Sequence, residues 1–255
     1  MSLIAITREV SPTLANCELS FHPREEIDVH TAAKQHRVYQ ECLARLGARV
    51  LNLEAQPELP DAVFVEDPAI VLDELAVILN SGAESRRPEA ATLADTLAKY
   101  RPLKFVRDPG TLDGGDILRA ERAVFVGMSR RTNREGFRQL REILTPYGYE
   151  LHAVELQGCL HLKSACSYLG NNTMLINRSF VNVEPLRRFN LLEVSADEPL
   201  AGNVLVINGT VVMPATFPGT RRLLESQGFR VCTVDVSELQ KAEAGVTCCS
   251  LIFAE

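Results

Sequence analysis

The sequence predicts an α/β fold of five repeated strand–strand–helix–strand (ββαβ) units, closed into a ring as one domain over residues 1–255. Three observations carry this. Polar residues of functional type recur at Asp67, Asp113, His161, Asn203 and Cys248, spaced 46, 48, 42 and 45 residues apart, and a period in the forties marks a repeated supersecondary unit. Each is followed by an apolar run, and in four of the five a turn and a second apolar run follow, as in a β-hairpin. Segments of helical spacing lie between the hairpins, and no Gly/Ser/Pro-rich linker divides the chain.

The copies read in order as follows. Glu66-Asp67 precedes AIVL, a turn at Asp73-Glu74, then LAVIL. Asp113-Gly114-Gly115-Asp116 precedes IL, a turn at 119–122, then AVFVGM. His161 precedes SACSYL, Gly170-Asn171-Asn172, then TMLI. Asn203 precedes VLVI, Asn208-Gly209, then TVVMP. Cys248 precedes CSLIF. Asn-Gly between apolar runs is the strongest hairpin signal, because a two-residue turn of matching twist needs positive φ at both positions. Helices are expected over 31–46, stopped by Gly47, over 89–100 after Pro88, over 133–144, and over 220–227, stopped by Gly228. RVLNL, KFVRD, ELHAVEL and RVCTVDV are the strands that follow them. Equivalent ends of five units pointing inward bring residues 67, 113, 161 and 248 together.

Composition excludes several classes. With 46% hydrophobic and 24% charged residues the chain is an ordinary globular protein, and a net charge of −6 without a basic run leaves nucleic acid no electrostatic footprint. The first residues, MSLIAITREV, lack the pattern of a secretory signal, and no apolar run approaches the roughly 18 residues of a membrane span. Seven cysteines, at 17, 42, 159, 166, 232, 248 and 249, are an odd number and form no CxxC pair. That argues for reduced thiols in a cytoplasmic protein and against a structural zinc.

Three kinds of residue are candidates for chemistry. A cysteine before an apolar strand is usually a small packed residue, and a histidine between leucines is usually a core residue. Cys248 and His161, however, hold equivalent places in the repeat, and a thiol beside an imidazole is the pairing of a nucleophile with its proton carrier. If the Cys248-Cys249 segment is extended, the two side chains face opposite ways and only one meets the site. Glu66, Asp67, Asp113 and Asp116 read either as solvated turn acids or as a pocket for a planar cation. Carboxylates match a guanidinium through paired charge-assisted hydrogen bonds. The arginines in SRRP (86, 87) and SRRTN (130, 131) are candidates for a substrate carboxylate.

At this point LPDAVFVEDP, SGAESRR, TLDGGDIL, FVGMSRRTN, CLHLKS and TCCSL, in order from about Arg8 to Phe253, resemble the dimethylarginine dimethylaminohydrolase family of the guanidino-group-modifying superfamily. The resemblance implies a five-bladed pseudo-symmetric α/β propeller (the pentein fold) and hydrolysis of Nω-methylated arginines to citrulline and dimethylamine or methylamine through a covalent thiouronium. It assigns Cys248 as nucleophile and His161 as acid/base. Asp67 and Asp113 would bind the guanidinium. Glu66 and Asp61 would form the pocket wall or meet the α-amino group. Arg86 and Arg131 would lie near the carboxylate, Leu19 on a lid loop, and Ala242 would offer a backbone carbonyl. No cofactor or metal is implied, the partner is a small guanidino substrate, and a homodimer is left open. Two departures stand: Asp113 where some members have Glu, and ILNSGAESRR without the Arg-Pro often found before the Gly. The alternatives are an arginine deiminase or amidinotransferase on the same scaffold, a non-catalytic arginine-binding protein, and zinc held by Cys248 and His161 as an inhibitor.

Overall fold

A computed structural model describes residues 2–255. The chain starts as strand β1 (Leu3–Arg8), crosses through helix α1 (Val29–Arg45) and returns as β2 (Ala48–Leu53), parallel to β1. The Asp28 side chain accepts the N–H groups of His30 and Thr31, satisfying donors that the first turn of α1 leaves free. The second unit is β3 (Ala69–Val71), β4 (Ala76–Ile78), α2 (Glu89–Leu97) and β5 (Leu103–Phe105). The third is β6 (Ile117–Ala120), β7 (Ala123–Met128), α3 (Arg134–Leu144) and β8 (Glu150–Glu155). The fourth has a one-turn helix α4 (Leu162–Ala165), then β9 (Cys166–Gly170), β10 (Thr173–Ile176) and β11 (Asn190–Glu193). The fifth is β12 (Leu205–Ile207), β13 (Thr210–Pro214), α5 (Pro218–Ser226) and β14 (Arg230–Val234). It is followed by α6 (Ser237–Gln240) and, last, β15 (Leu251–Ala254).

In each unit an antiparallel hairpin is extended by a third strand parallel to the second, and such a parallel step needs a crossover. The first unit obtains its hairpin partner from the far end of the chain. β15 pairs antiparallel with β1, Ile4 opposite Phe253, giving the sheet order β15-β1-β2. Five three-stranded sheets result. Their first strands, β3, β6, β9, β12 and β15, all contribute to the wall of a central cavity of about 280 Å³, through Ile70, Leu118, Ser167, Val206 and Leu251 among others. Apolar clusters fill the seams between neighbouring sheets; one joins β1, β3, α2 and β15 through Ile6, Ala69, Leu93 and Phe253.

The Asn208-Gly209 turn takes the conformation its sequence demands, with φ +46° and +73°. The expected regular repeat fails in the fourth unit. Between β10 and β11 the crossover is one 3-10 turn, Glu184–Leu186, and not a helix. Val181, Val183 and Pro185 are poor helix formers. The buried Asn177 side chain fixes the loop instead, donating to the Pro199 carbonyl at 2.8 Å and accepting from the Ser179 N–H at 2.9 Å.

Candidate active site

The acids come together where the Gly114–Asp116 turn crosses the segment before β3. Gly114 N–H donates to the Asp67 carbonyl at 2.9 Å, and Gly115 N–H to Asp67 Oδ1 at 3.1 Å. The two glycines are required by this contact. A Cβ at 114 would stand 2.0 Å from the Glu66 carbonyl oxygen, and one at 115 would stand 2.6 Å from His161 Nδ1. Asp113 Oδ1 accepts from Ser81 Oγ at 2.8 Å and from Gly82 N–H at 2.9 Å, while Oδ2 lies 3.2 Å from His161 Nε2. Asp67 Oδ1 is 3.9 Å from His161 Nδ1, so the ring stands between two carboxylates. All three residues are buried.

Burial disfavours a charged imidazole, but Asp67, Asp113 and Asp116 outweigh it and hold His161 up at about 9. Burial likewise acts against the Asp113 carboxylate, yet the hydrogen bond and charge of His161 keep it below the ordinary range. Asp116 forms a layer behind them. Its Oδ1 accepts the N–H of Leu162, the residue after His161, at 3.0 Å, and its Oδ2 accepts from Thr132 Oγ1 at 2.7 Å. Burial, only partly offset by His161, raises it to about 6.

The thiol enters from the other side. The expected extended Cys248-Cys249 segment is a turn over residues 246–249, with β15 starting only at Leu251. Gly245 N–H points at Cys248 Sγ from 3.3 Å, and this capping of the turn replaces strand hydrogen bonding. The turn still separates the two cysteines: Cys248 is half-buried, whereas Cys249 is buried with its Sγ 3.7 Å from the Gly245 carbonyl. The turn meets the acid side through Glu66, whose N–H donates to the Cys248 carbonyl at 3.2 Å and whose carboxylate accepts from Thr247 Oγ1 at 2.7 Å. Lys163 Nζ holds the other Glu66 oxygen at 2.5 Å. Burial, then the charges of Glu66 and Asp67, push the Cys248 thiol up to about 12. From α1, the Tyr39 hydroxyl donates to the Val246 carbonyl at 2.8 Å and lies 2.6 Å from Ser250 Oγ, bracketing the turn that carries Cys248.

The remaining expected residues lie around this centre. Asp61 Oδ2 accepts the Glu18 N–H at 3.1 Å, next to half-buried Leu19. The following N–H groups of Ser20, Phe21 and His22 all donate to Glu243, at 2.5–3.0 Å, and Arg131 Nη2 reaches Ser20 Oγ at 3.1 Å. Ala242 is buried just before Glu243. Arg86 has other partners than expected. It is buried, with Nη1 2.6 Å from Asp67 Oδ2, Nη2 2.8 Å from Glu89 Oε2 and Nε 3.0 Å from Glu89 Oε1. A guanidinium so engaged is a fixed counter-charge for Asp67 and is not open to a ligand carboxylate. Tyr39 and Glu243 are supports that carry no motif of their own, and Asn203, the repeat's fourth polar residue, is a third support, its Nδ2 2.9 Å from Thr247 Oγ1. Asp116 was visible in the DGGD run, but not its link to His161.

An imidazole held between two buried carboxylates, with a half-buried thiol under the charge of the same acids, on a ring of five three-stranded sheets, defines a pentein-fold enzyme. A family model described as N,N dimethylarginine dimethylhydrolase, eukaryotic, matches residues 15–253, and the chain belongs to the dimethylarginine dimethylaminohydrolase family. It is 38% identical over 228 residues to the N(G),N(G)-dimethylarginine dimethylaminohydrolase of Pseudomonas aeruginosa, covering 89% of this chain and 90% of that one. It is 35% identical to the Streptomyces coelicolor enzyme of the same name, covering 98% and 97%. Among solved structures, a cysteine-to-serine variant of the Pseudomonas aeruginosa enzyme complexed with citrulline superposes with a TM-score of 0.94 at 33% identity, covering 99% of this chain and 100% of that one. The N-terminal domain of the cyanobacterial arginine dihydrolase ArgZ reaches 0.89 at 16% identity, over 100% and 98%, and shares the fold.

Proposed function

We propose that the protein hydrolyses Nω-methylated arginines to citrulline and dimethylamine or methylamine, as a single catalytic domain with no cofactor. The observation that carries this is the placement of His161 between Asp67 and Asp113, while Glu66 and Asp67 act on the Cys248 thiol and leave it neutral at rest. The acids prepare the site for a planar cation. Asp67 and Asp113 receive the guanidinium, with Glu66 and Asp61 in the wall. Arg131, Leu19 and the Ala242 carbonyl serve the amino-acid end, and Arg86 fixes Asp67 from behind.

The chemistry follows from the charges. Glu66 and Asp67 disfavour a thiolate until a cation enters; the substrate's positive charge then favours ionisation of Cys248, and its proton leaves for solvent. The sulfur attacks the guanidinium carbon. His161, protonated at neutral pH, gives its proton to the departing alkylamine, and the neutral ring then takes a proton from water attacking the thiouronium. Such proton transfers typically contribute about 10²–10⁴-fold. Citrulline leaves, and the thiol is restored.

Seven free thiols fit a reducing cytoplasm. No helix among the described residues is long and apolar enough to cross a membrane. The choice between monomer and homodimer stays open, and sedimentation decides it. The function is tested by offering asymmetric dimethylarginine, monomethylarginine and free arginine together and identifying products by mass spectrometry. Citrulline with dimethylamine and methylamine is expected. Ammonia from free arginine as the main product would make the protein a deiminase.

A further inference from the structure

Cys42 and Cys232 take no part in the site, yet their sulfurs lie 3.3 Å apart, with the thiol of one directed at the other. No other two cysteines among the described residues are hydrogen-bonded to each other. Cys42 is buried on α1, Cys232 half-buried on β14, and both pack in the apolar cluster between those elements. Closing to the roughly 2.05 Å of a disulfide takes about 1.2 Å of side-chain movement. We infer that Cys42 and Cys232 are a dithiol–disulfide couple, a covalent modification site whose co-reactant is a small disulfide of the glutathione type.

The unequal exposure sets the order of events. The Cys232 sulfur attacks one sulfur of the small disulfide; a mixed disulfide forms and one small thiol departs. The Cys42 sulfur then attacks the Cys232 sulfur and expels the second small thiol. The two protein thiols lose two electrons, the small disulfide gains them, and both protons end on the released thiols. Burial, with Cys232 alongside, pushes the Cys42 thiol up to about 11 while Arg45 pulls the other way, so the Cys42 thiolate is scarce and the second step is the slow one. The bond would close a loop of 190 residues and so constrain the unfolded chain strongly. It also fixes α1, which supports the turn over 246–249. Tyr39, three residues before Cys42 on α1, holds Val246 and Ser250, and β14 leads through α6 to Ala242.

The test is incubation of the whole protein with rising oxidised glutathione, followed by peptide mapping without reduction and by thermal melting. A Cys42–Cys232 linked peptide should form, Tm should rise by several degrees, and dithiothreitol should reverse both. Cys232→Ser should abolish the link and the rise. Cys42→Ser should leave glutathione attached at Cys232; if that buried change prevents folding, Cys232→Ser and Cys232→Ala carry the test from the half-buried side. Adducts at Cys248 without a linked peptide, a lasting glutathione adduct at Cys232 in the unaltered protein, or a Tm rise that survives Cys232→Ser would each overturn the couple.

Discussion

The two sides of the site are built on opposite principles. On the acid side, Asp67, Asp113, His161, Arg86 and Glu89 are buried charges that hold one another at 2.6–3.9 Å. On the thiol side, the turn over 246–249 is tied chiefly by neutral bonds, Tyr39 to Val246, Gly245 to Cys248 and Asn203 to Thr247, and meets the charged side at the Glu66 carboxylate on Thr247. The acid side is committed to its charge before any ligand arrives, and in the proposed mechanism the thiol side acquires charge only when the ligand brings its opposite. Removing a group from the first should upset electrostatics and stability, and from the second geometry and reactivity.

The largest effect is expected on the thiol side. Cys248→Ser should abolish turnover, because a hydroxyl is a far weaker nucleophile near neutral pH, while Cys249→Ser, buried behind the turn, should keep substantial activity. Steady-state rates of the two variants check this, and an active Cys248→Ser would remove the nucleophile assignment.

Next comes the acid side. Arg86→Ala leaves Asp67 and Glu89 buried without their cation, a loss that commonly costs about 3–5 kcal/mol. Chemical denaturation should show the variant destabilised by that order. If it is as stable as the parent but discriminates against substrates bearing an α-carboxylate, Arg86 is a ligand residue after all.

A smaller change separates charge from shape. His161 must be protonated to act as acid, so activity should fall as pH rises through about 9. In Asp113→Asn a raising partner is gone, and the alkaline limb of kcat/KM should move to lower pH. An unmoved limb would mean that another group sets it. The smallest effect belongs to Tyr39→Phe, which strips the Val246 carbonyl of a buried donor and should cost about 1–3 kcal/mol. Its kcat should fall with KM little changed if the turn is positioned by α1, and both should stay constant if Tyr39 only packs.

The sequence showed more of the ring than of the site. The 42–48-residue period and Asn208-Gly209 marked the units because local turn chemistry dictates them. The missing helix of the fourth unit was legible in principle, since Val181, Val183 and Pro185 stand there, but regularity elsewhere overrode it. The pairing of β15 with β1 leaves no local trace, because two short apolar strands say nothing of their partner. The same holds for Arg86: SRRP gives no sign of which arginine is buried, and only the ring brings Glu89 and Asp67 to either side of it. Cys248-Cys249 read as a strand because no turn signal stands at the two cysteines themselves, and it is Gly245 N–H that caps the turn.

The sheet β15-β1-β2 has a kinetic consequence. Leu251 finds Ile6 across almost the whole chain, and contacts so distant in sequence form slowly, because a long loop must close before they stabilise anything. The segment directly before Leu251 carries Cys248, the proposed nucleophile. Assembly of the other four sheets can therefore run ahead, with acids and histidine already gathered, while reactivity waits for the final seam. Opening of that seam, followed by hydrogen exchange along β15, would switch the enzyme off long before it unfolds.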